Sequence, residues 1–291
     1  MMPKILLIGS QGQVGQELEK TLPEVGELIS LSRAQLDLSQ SEAIARVIET
    51  IKPNFVVNAA AYTAVDKAES EPELARQINA QAPAIMAQSS ERIGATLLHI
   101  STDYVFNGQK NTPYLESDLS DPLGVYGLSK RDGEEFIKKA KGSHIILRTA
   151  WVYGLQGKGN FVKTMLRLGQ EREILKIVSD QIGSPTWSYD IAMRIAEIIK
   201  NIEKVPTGIY HFTNSGSISW YDFAMNIFEE AGKLGIPLKL QQVVPINTDQ
   251  YPTPAKRPAY SVLSNQKLTD CLGSYPPYWR DSLKKMLAQV R

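Results

Sequence analysis

Tyr126 and Lys130 stand four residues apart in Tyr-Gly-Leu-Ser-Lys, and Ser101-Thr102-Asp103-Tyr104 lies some 24 residues upstream. A tyrosine and a lysine at i and i+4 share one face of a helix. An ammonium beside a phenol favours the phenolate, so this spacing predicts a Tyr126 pKa below its ordinary value of about 10. Such a tyrosine gives and takes protons near neutral pH. The Thr102 hydroxyl, just past an apolar run, can hydrogen-bond the same reacting oxygen. With a nicotinamide cofactor alongside, this set suits the reduction of a carbonyl or the oxidation of an alcohol.

A place for that cofactor stands at the N-terminus. Gly9-Ser-Gln-Gly12-Gln13-Val14-Gly15 follows the apolar run Lys4–Ile8 and opens a helical pattern with Val14, Leu18 and Leu22. Glycines let the backbone turn sharply and approach a pyrophosphate, and the N-terminus of the following helix offers N–H groups and a positive dipole end. The second apolar run ends in Leu31-Ser32-Arg33. NAD-preferring enzymes usually place there an acid that binds the ribose 2′-hydroxyl. Arginine beside serine instead suits a 2′-phosphate. The expectation is NADPH, with NADH as the lesser cofactor. Asp37 and Leu38, a little further on, are placed to meet the adenine.

The elements that must hold these groups alternate. Strands are predicted at Lys4–Ile8, Leu28–Leu31, Phe55–Asn58, Thr96–Ser101 and His144–Arg148. Helices are predicted at Gln13–Leu22, from Ser41 to Lys52-Pro53, over Glu73–Arg92 with a bend near Pro83, and over Tyr126–Lys139. Short apolar strands alternating with amphipathic helices predict an α/β fold, a doubly wound parallel sheet of Rossmann type over residues 1–150. Ligands then lie beyond the carboxyl ends of the strands. After Trp151 the rhythm breaks. Residues 151–291 read as a smaller, mainly substrate-binding domain, some of whose segments return to the main sheet.

The bulk properties exclude several classes. The 291 residues carry a net charge of +1, which argues against a nucleic-acid or membrane-surface partner. No stretch approaches the roughly 20 apolar residues of a membrane span, and the opening apolar run is too short for a signal peptide. A cytoplasmic protein is expected. The single cysteine, Cys271, excludes an internal disulfide. His99, His144 and His211 make no metal-ligand spacing and are read as structural.

Longer runs carry a resemblance. They are Gly9–Gly15, Val57-Asn-Ala-Ala-Ala-Tyr-Thr-Ala-Val-Asp-Lys-Ala-Glu-Ser-Glu-Pro72, Ser101-Thr-Asp-Tyr-Val-Phe106, Tyr126–Lys130, Arg148-Thr-Ala-Trp-Val-Tyr153, Asp180-Gln-Ile-Gly-Ser-Pro-Thr186 and Tyr251-Pro-Thr-Pro-Ala-Lys-Arg-Pro258. Through them the chain resembles the extended short-chain dehydrogenase/reductases, and among these the branch that reduces a dTDP-bound 4-ketosugar. The resemblance implies hydride transfer from NADPH to C4 of dTDP-6-deoxy-L-lyxo-4-hexulose, giving dTDP-L-rhamnose. Tyr126 would be the acid, Lys130 its electrostatic partner and Thr102 a second contact to the same oxygen. Gly12, Gln13 and Val14 would meet the pyrophosphate, and Ala61, Tyr62 and Thr63 would line the cofactor. Val65, Asp103, Tyr104 and Trp151 would form the sugar pocket, with Arg257 on the diphosphate. Some members pair as homodimers with Mg²⁺ held between carboxylates. Glu17 matches one of those acids, but Tyr189 stands where another would be expected, so a metal bridge is not predicted.

Two other readings share the fold. A dehydratase places Thr-Asp-Glu after the fourth strand, whereas this chain has Thr102-Asp103-Tyr104, and an epimerase holds NAD, which Ser32-Arg33 disfavours. A regulatory subunit that binds NADP without turnover could keep both Tyr126 and Lys130.

Overall fold

The computed structural model describes residues 2–290. Five parallel strands, β1 (Lys4–Ile8), β2 (Glu27–Leu31), β3 (Phe55–Asn58), β4 (Thr96–Thr102) and β5 (His144–Thr149), form a sheet with the edge strand Gly208–His211. Across the sheet the order is Gly208–His211, β5, β4, β3, β1, β2. Successive side chains of a strand point to opposite faces. In β1, accordingly, Ile5 and Leu7 pack into one core layer and Leu6 and Ile8 into the other.

The first layer is covered by α1 (Gln13–Thr21) and by the later helix Ser188–Lys200, which contributes Ile191, Ile195 and Ile198. The second is covered by α2 (Ser41–Ile51), which contributes Ile44 and Ile48, with α5 (Ala82–Ile93) and α6 (Val125–Lys139) beside it. The order of the strands reverses between β1 and β3, so their carboxyl ends open a crevice of the kind that takes nucleotides in such sheets.

Two short helices precede α5: α3 (Val65–Ala68) and α4 (Pro72–Arg76). The predicted bend near Pro83 takes a specific form. Residues Gln77–Gln81 make a π-helical turn between α4 and α5. Pro83 has no N–H to donate, and its ring crowds the carbonyl four residues back, so a wider turn relieves the conflict. The wide turn sits against α6, where a Cβ on Gly133 would lie 2.2 Å from the Asn79 carbonyl oxygen.

The second half has its own core, with Tyr153, Met165, Trp187, Phe223, Trp279 and Leu283 among its members. Its helices Phe161–Glu171 and Trp220–Lys233 flank a parallel pair of strands, Ile174–Val178 and Gln242–Ile246. No helix among the described residues is long and apolar enough to cross a membrane.

Candidate active site

A cavity of about 870 Å³ opens at the carboxyl ends of β1, β3, β4 and β5. Its wall unites segments that are far apart in sequence. From the first half come Gly9, Gly12, Gln13, Val14, Arg33, Asp37 and Leu38 after β1 and β2, and Ala61, Thr63 and Val65 after β3. Thr102, Asp103 and Tyr104 follow β4, Tyr126 and Lys130 project from the start of α6, and Trp151 comes from beyond β5. A separate groove of about 610 Å³ runs along α6 between residues 116–120 and Arg131–Lys139 and holds none of these groups.

The glycine loop is set by contact distances. Gly9 has φ of +90° and lies so close to β3 that a Cβ there would be 2.6 Å from Ala60 N. Gly15 lets α1 approach the loop, since its Cβ would be 2.1 Å from the Gly9 carbonyl oxygen. Gly15 thus shapes the cradle from behind and is not itself in the cavity wall. Gly12 is the N-cap of α1 and brings no capping side chain, so no side chain takes up the first-turn N–H groups. Gln13 ties this loop to the second half of the molecule: its Nε2 donates to the Val152 carbonyl (3.1 Å) and its Oε1 accepts from Asn160 Nδ2 (2.6 Å).

Tyr126 and Lys130 share one face of α6, as their spacing predicts, but their electrostatics differ from the prediction. Tyr126 does not have a lowered pKa; burial pushes it up to about 12, against a lowering by the Thr102 hydroxyl, with the Asp103 carboxylate adding a smaller upward push. The ring borders the open cavity. Lys130 is 1% exposed, and burial pulls its pKa down to about 8 against a smaller upward pull from Glu134. Its Nζ contacts the Ile100 carbonyl (2.7 Å) and the His99 ring at Nε2 (3.0 Å). A buried lysine so engaged does not acidify the phenol, and Tyr126 is protonated at neutral pH.

Thr102 Oγ1 donates to Asp103 Oδ1 (3.1 Å) and accepts the N–H of Tyr104 (3.2 Å). Burial raises the Asp103 pKa to about 6, against hydrogen bonds that lower it. The Tyr104 ring meets the Tyr126 ring edge to face, 5.5 Å between centroids. Trp151 has φ of +46° and stacks on Trp220 with centroids 3.5 Å apart and planes 4° off parallel. Gly183 lies close against the ring, since a Cβ there would be 2.4 Å from it. The indole is therefore a rigid wall of the cavity.

Other predicted site residues point elsewhere. The Ser32 hydroxyl donates to Gln35 Oε1 (2.8 Å) and closes the turn after β2, leaving Arg33 exposed at the cavity edge. The Tyr62 hydroxyl donates to Glu71 Oε2 (2.8 Å), which turns its ring from the cavity. Arg257 lies outside the wall: its Nη2 pairs with Asp66 Oδ2 (2.8 Å) and its Nη1 donates to Thr253 and to the Ala255 carbonyl. That pair fastens the proline-rich segment to α3. Glu17 is buried and paired with Lys20 (2.8 Å). No group of three or more His, Cys, Asp or Glu among the described residues could hold a metal ion.

Several contributing residues escaped sequence reasoning. Asn79, in the π turn, accepts the Tyr62 N–H at Oδ1 (2.8 Å) and donates through Nδ2 to Ser129 Oγ (3.1 Å), fixing α6 to the loop after β3. Glu134 and Arg148 form a buried bidentate pair (2.9 and 2.6 Å) that braces α6 on β5. His99, read as structural from its isolation in sequence, is the partner of Lys130. Only Glu134 left a trace in the sequence: it falls one turn after Lys130 on the same helix face.

Comparison with known proteins shows the family. The family model described as RmlD substrate binding domain matches residues 2–291. A dTDP-4-dehydrorhamnose reductase of Burkholderia thailandensis is 44% identical, with 95% of each chain covered. The enzyme of that name from Escherichia coli K12 is also 44% identical, over 98% of this chain and 97% of its own. The crystal structure of a dTDP-4-dehydrorhamnose reductase from Bacillus anthracis in complex with NADP superposes with a TM-score of 0.92 at 37% identity, covering 99% of this chain and 100% of that one. The chain belongs to the dTDP-4-dehydrorhamnose reductase family.

Proposed function

We propose that this protein reduces the C4 ketone of dTDP-4-dehydro-L-rhamnose to the alcohol of dTDP-L-rhamnose, using NADPH. The observation that carries the reading is a single cavity wall bearing a nucleotide cradle, a protonated tyrosine, a buried lysine and a rigid indole. The cradle fits a dinucleotide, because side chains are absent at Gly9 and Gly12 and the first-turn N–H groups of α1 are not capped by a side chain. Bound there, NADPH supplies the hydride. Gly9, Gly12, Gln13 and Val14 hold its pyrophosphate, with Gly15 giving the close helix approach. Arg33 takes the 2′-phosphate, Asp37 and Leu38 border the adenine, and Ala61 and Thr63 border the remainder.

Tyr126 donates its proton to the ketone oxygen as the alcohol forms, and Thr102 steadies that oxygen. A raised pKa serves this direction of reaction, because the proton is in place at neutral pH. Lys130 anchors the ribose side of the cavity. Val65, Tyr104 and the Trp151 face receive the apolar side of the deoxysugar, and Asp103 answers its hydroxyls. Residues 1–150 mainly serve the cofactor and residues 151–291 the sugar.

Turnover tests the reading. Protein mixed with NADPH and the dTDP-4-ketosugar should consume the absorbance of reduced nicotinamide. Binding of NADPH without consumption would instead favour the regulatory subunit. Cofactor choice has its own test. Arg33→Ala should raise the KM for NADPH roughly tenfold, the lower end for a charge-assisted contact because Arg33 is exposed. The KM for NADH should hardly change, and equal losses for both would refute the 2′-phosphate contact.

A further inference from the structure

In the reductase reading two diphosphates share the cavity, one in NADPH and one in the sugar nucleotide, and the wall serves them unequally. The cofactor's diphosphate meets the first-turn N–H groups of α1, which no side chain caps. Arg257, the residue expected at the other diphosphate, lies outside the wall and is engaged with Asp66. Three cations do line the cavity: Arg33, Lys130 and Lys158. Arg33 follows β2, at the end assigned to the 2′-phosphate. Lys130 is buried, with its Nζ on the Ile100 carbonyl. Lys158 is exposed, and among the described residues it enters none of the lysine ion pairs. The two carboxylates of the wall, Asp37 and Asp103, follow β2 and β4, whereas Lys158 comes from the second half of the chain.

A short loop, residues 154–160, presents this lysine. Asn160 Nδ2 donates to Gln13 Oε1 (2.6 Å) and to the Gly154 carbonyl (2.7 Å), which closes the loop at its base. Lys163 Nζ donates to the Gly157 carbonyl (2.9 Å). Gly157 has φ of +78° and packs on Gln13, where a Cβ would lie 3.1 Å from the Gln13 Cβ. These ties hold the loop against the cofactor cradle. Lys158 itself stands between Gly157 and Gly159, so the backbone on either side can adjust to a ligand. Trp151, Phe161 and Trp220 line the cavity from the same half of the chain. We propose that Lys158 binds the diphosphate of the sugar nucleotide. The assignment deepens the reductase reading and rests on it for the identity of that ligand. An ammonium on a long stem is a mobile point charge that attracts phosphate oxygens without the fixed fork of an arginine. Through Gln13 the two diphosphates are held by one connected unit: its backbone belongs to the cofactor cradle, and its side chain fastens the loop that carries Lys158.

Binding tests this without turnover. dTDP-L-rhamnose is titrated calorimetrically into protein loaded with NADP⁺, and NADPH binding is followed separately by fluorescence. Lys158→Met should raise the dissociation constant for dTDP-L-rhamnose roughly tenfold, the lower end for a charge-assisted contact because Lys158 is exposed. The dissociation constant for NADPH should stay at the wild-type value. Lys176→Met, which removes an exposed lysine outside the wall, should leave both constants unchanged and so separates a local contact from the loss of one positive charge. An unchanged constant for dTDP-L-rhamnose in Lys158→Met, a loss that falls on NADPH instead, or an equal loss in Lys176→Met overturns the proposal. Wild-type protein that binds NADPH but no dTDP-L-rhamnose overturns the reductase reading as well, so the wild type tells the two failures apart.

Discussion

Tyr126→Phe is expected to lower kcat by roughly 10²- to 10⁴-fold, the usual contribution of a positioned acid, while the affinity for NADPH stays unchanged. The phenyl ring keeps its edge-to-face contact with Tyr104, so the cavity wall stays intact and only the proton donor is lost. A fall in kcat with little change in KM is the signature of an interaction made in the transition state. Steady-state kinetics together with NADPH fluorescence titration separate the two quantities, and full activity in the variant would refute the assigned acid. The raised pKa adds a direction. Oxidation of the product alcohol requires the phenolate, so the reverse rate should climb as pH rises toward about 12, whereas the forward step keeps its proton throughout the neutral range. A reverse rate independent of pH above neutrality would contradict this.

Glu134→Ala is expected to destabilise the protein by about 3–5 kcal/mol, a large share of the roughly 5–15 kcal/mol that holds a typical domain folded. The carboxylate is 1% exposed and accepts two guanidinium contacts from Arg148 and one, at 2.5 Å, from the Ser101 hydroxyl. Its removal strands a guanidinium whose side chain is only 3% exposed, left with the Ser120 hydroxyl at 3.1 Å and the Phe106 ring 5.0 Å away. Replacing both partners, as in Glu134→Met with Arg148→Met, should recover most of the loss, because the penalty comes from the unpaired buried charge. Denaturant midpoints of the two single variants and the double variant measure this. A single-variant loss below about 1 kcal/mol would show the pair to be energetically idle. The pair also has a functional consequence, since α6 carries both Tyr126 and Lys130 and would lose its brace to β5.

Much of the fold was legible because its signals are local. The apolar runs of β1 to β5 and the turn chemistry between them depend on residues within a few positions of each other. The same holds for Tyr126 and Lys130, whose common face follows from helical spacing. The electrostatics were not legible. The sequence placed an ammonium near a phenol, whereas folding buried both groups and set His99 and the Ile100 carbonyl against the amine. Arg257 is a similar case: among prolines it read as a free phosphate-binding cation, and the fold brings Asp66 to it from 191 residues away. Trp220, which backs Trp151, gave no local sign of doing so.

From its sequence alone this protein was determined to be a parallel α/β nucleotide binder with a tyrosine–lysine helix, because periodicity, glycine turns and motif spacing are properties of short segments. Tertiary structure alone decided which groups are charged, which are engaged and which face the cavity. Those properties depend on burial and on hydrogen-bond partners such as Asn58, His99 and Lys130, which the chain separates by tens of residues and only packing brings within 3.0 Å.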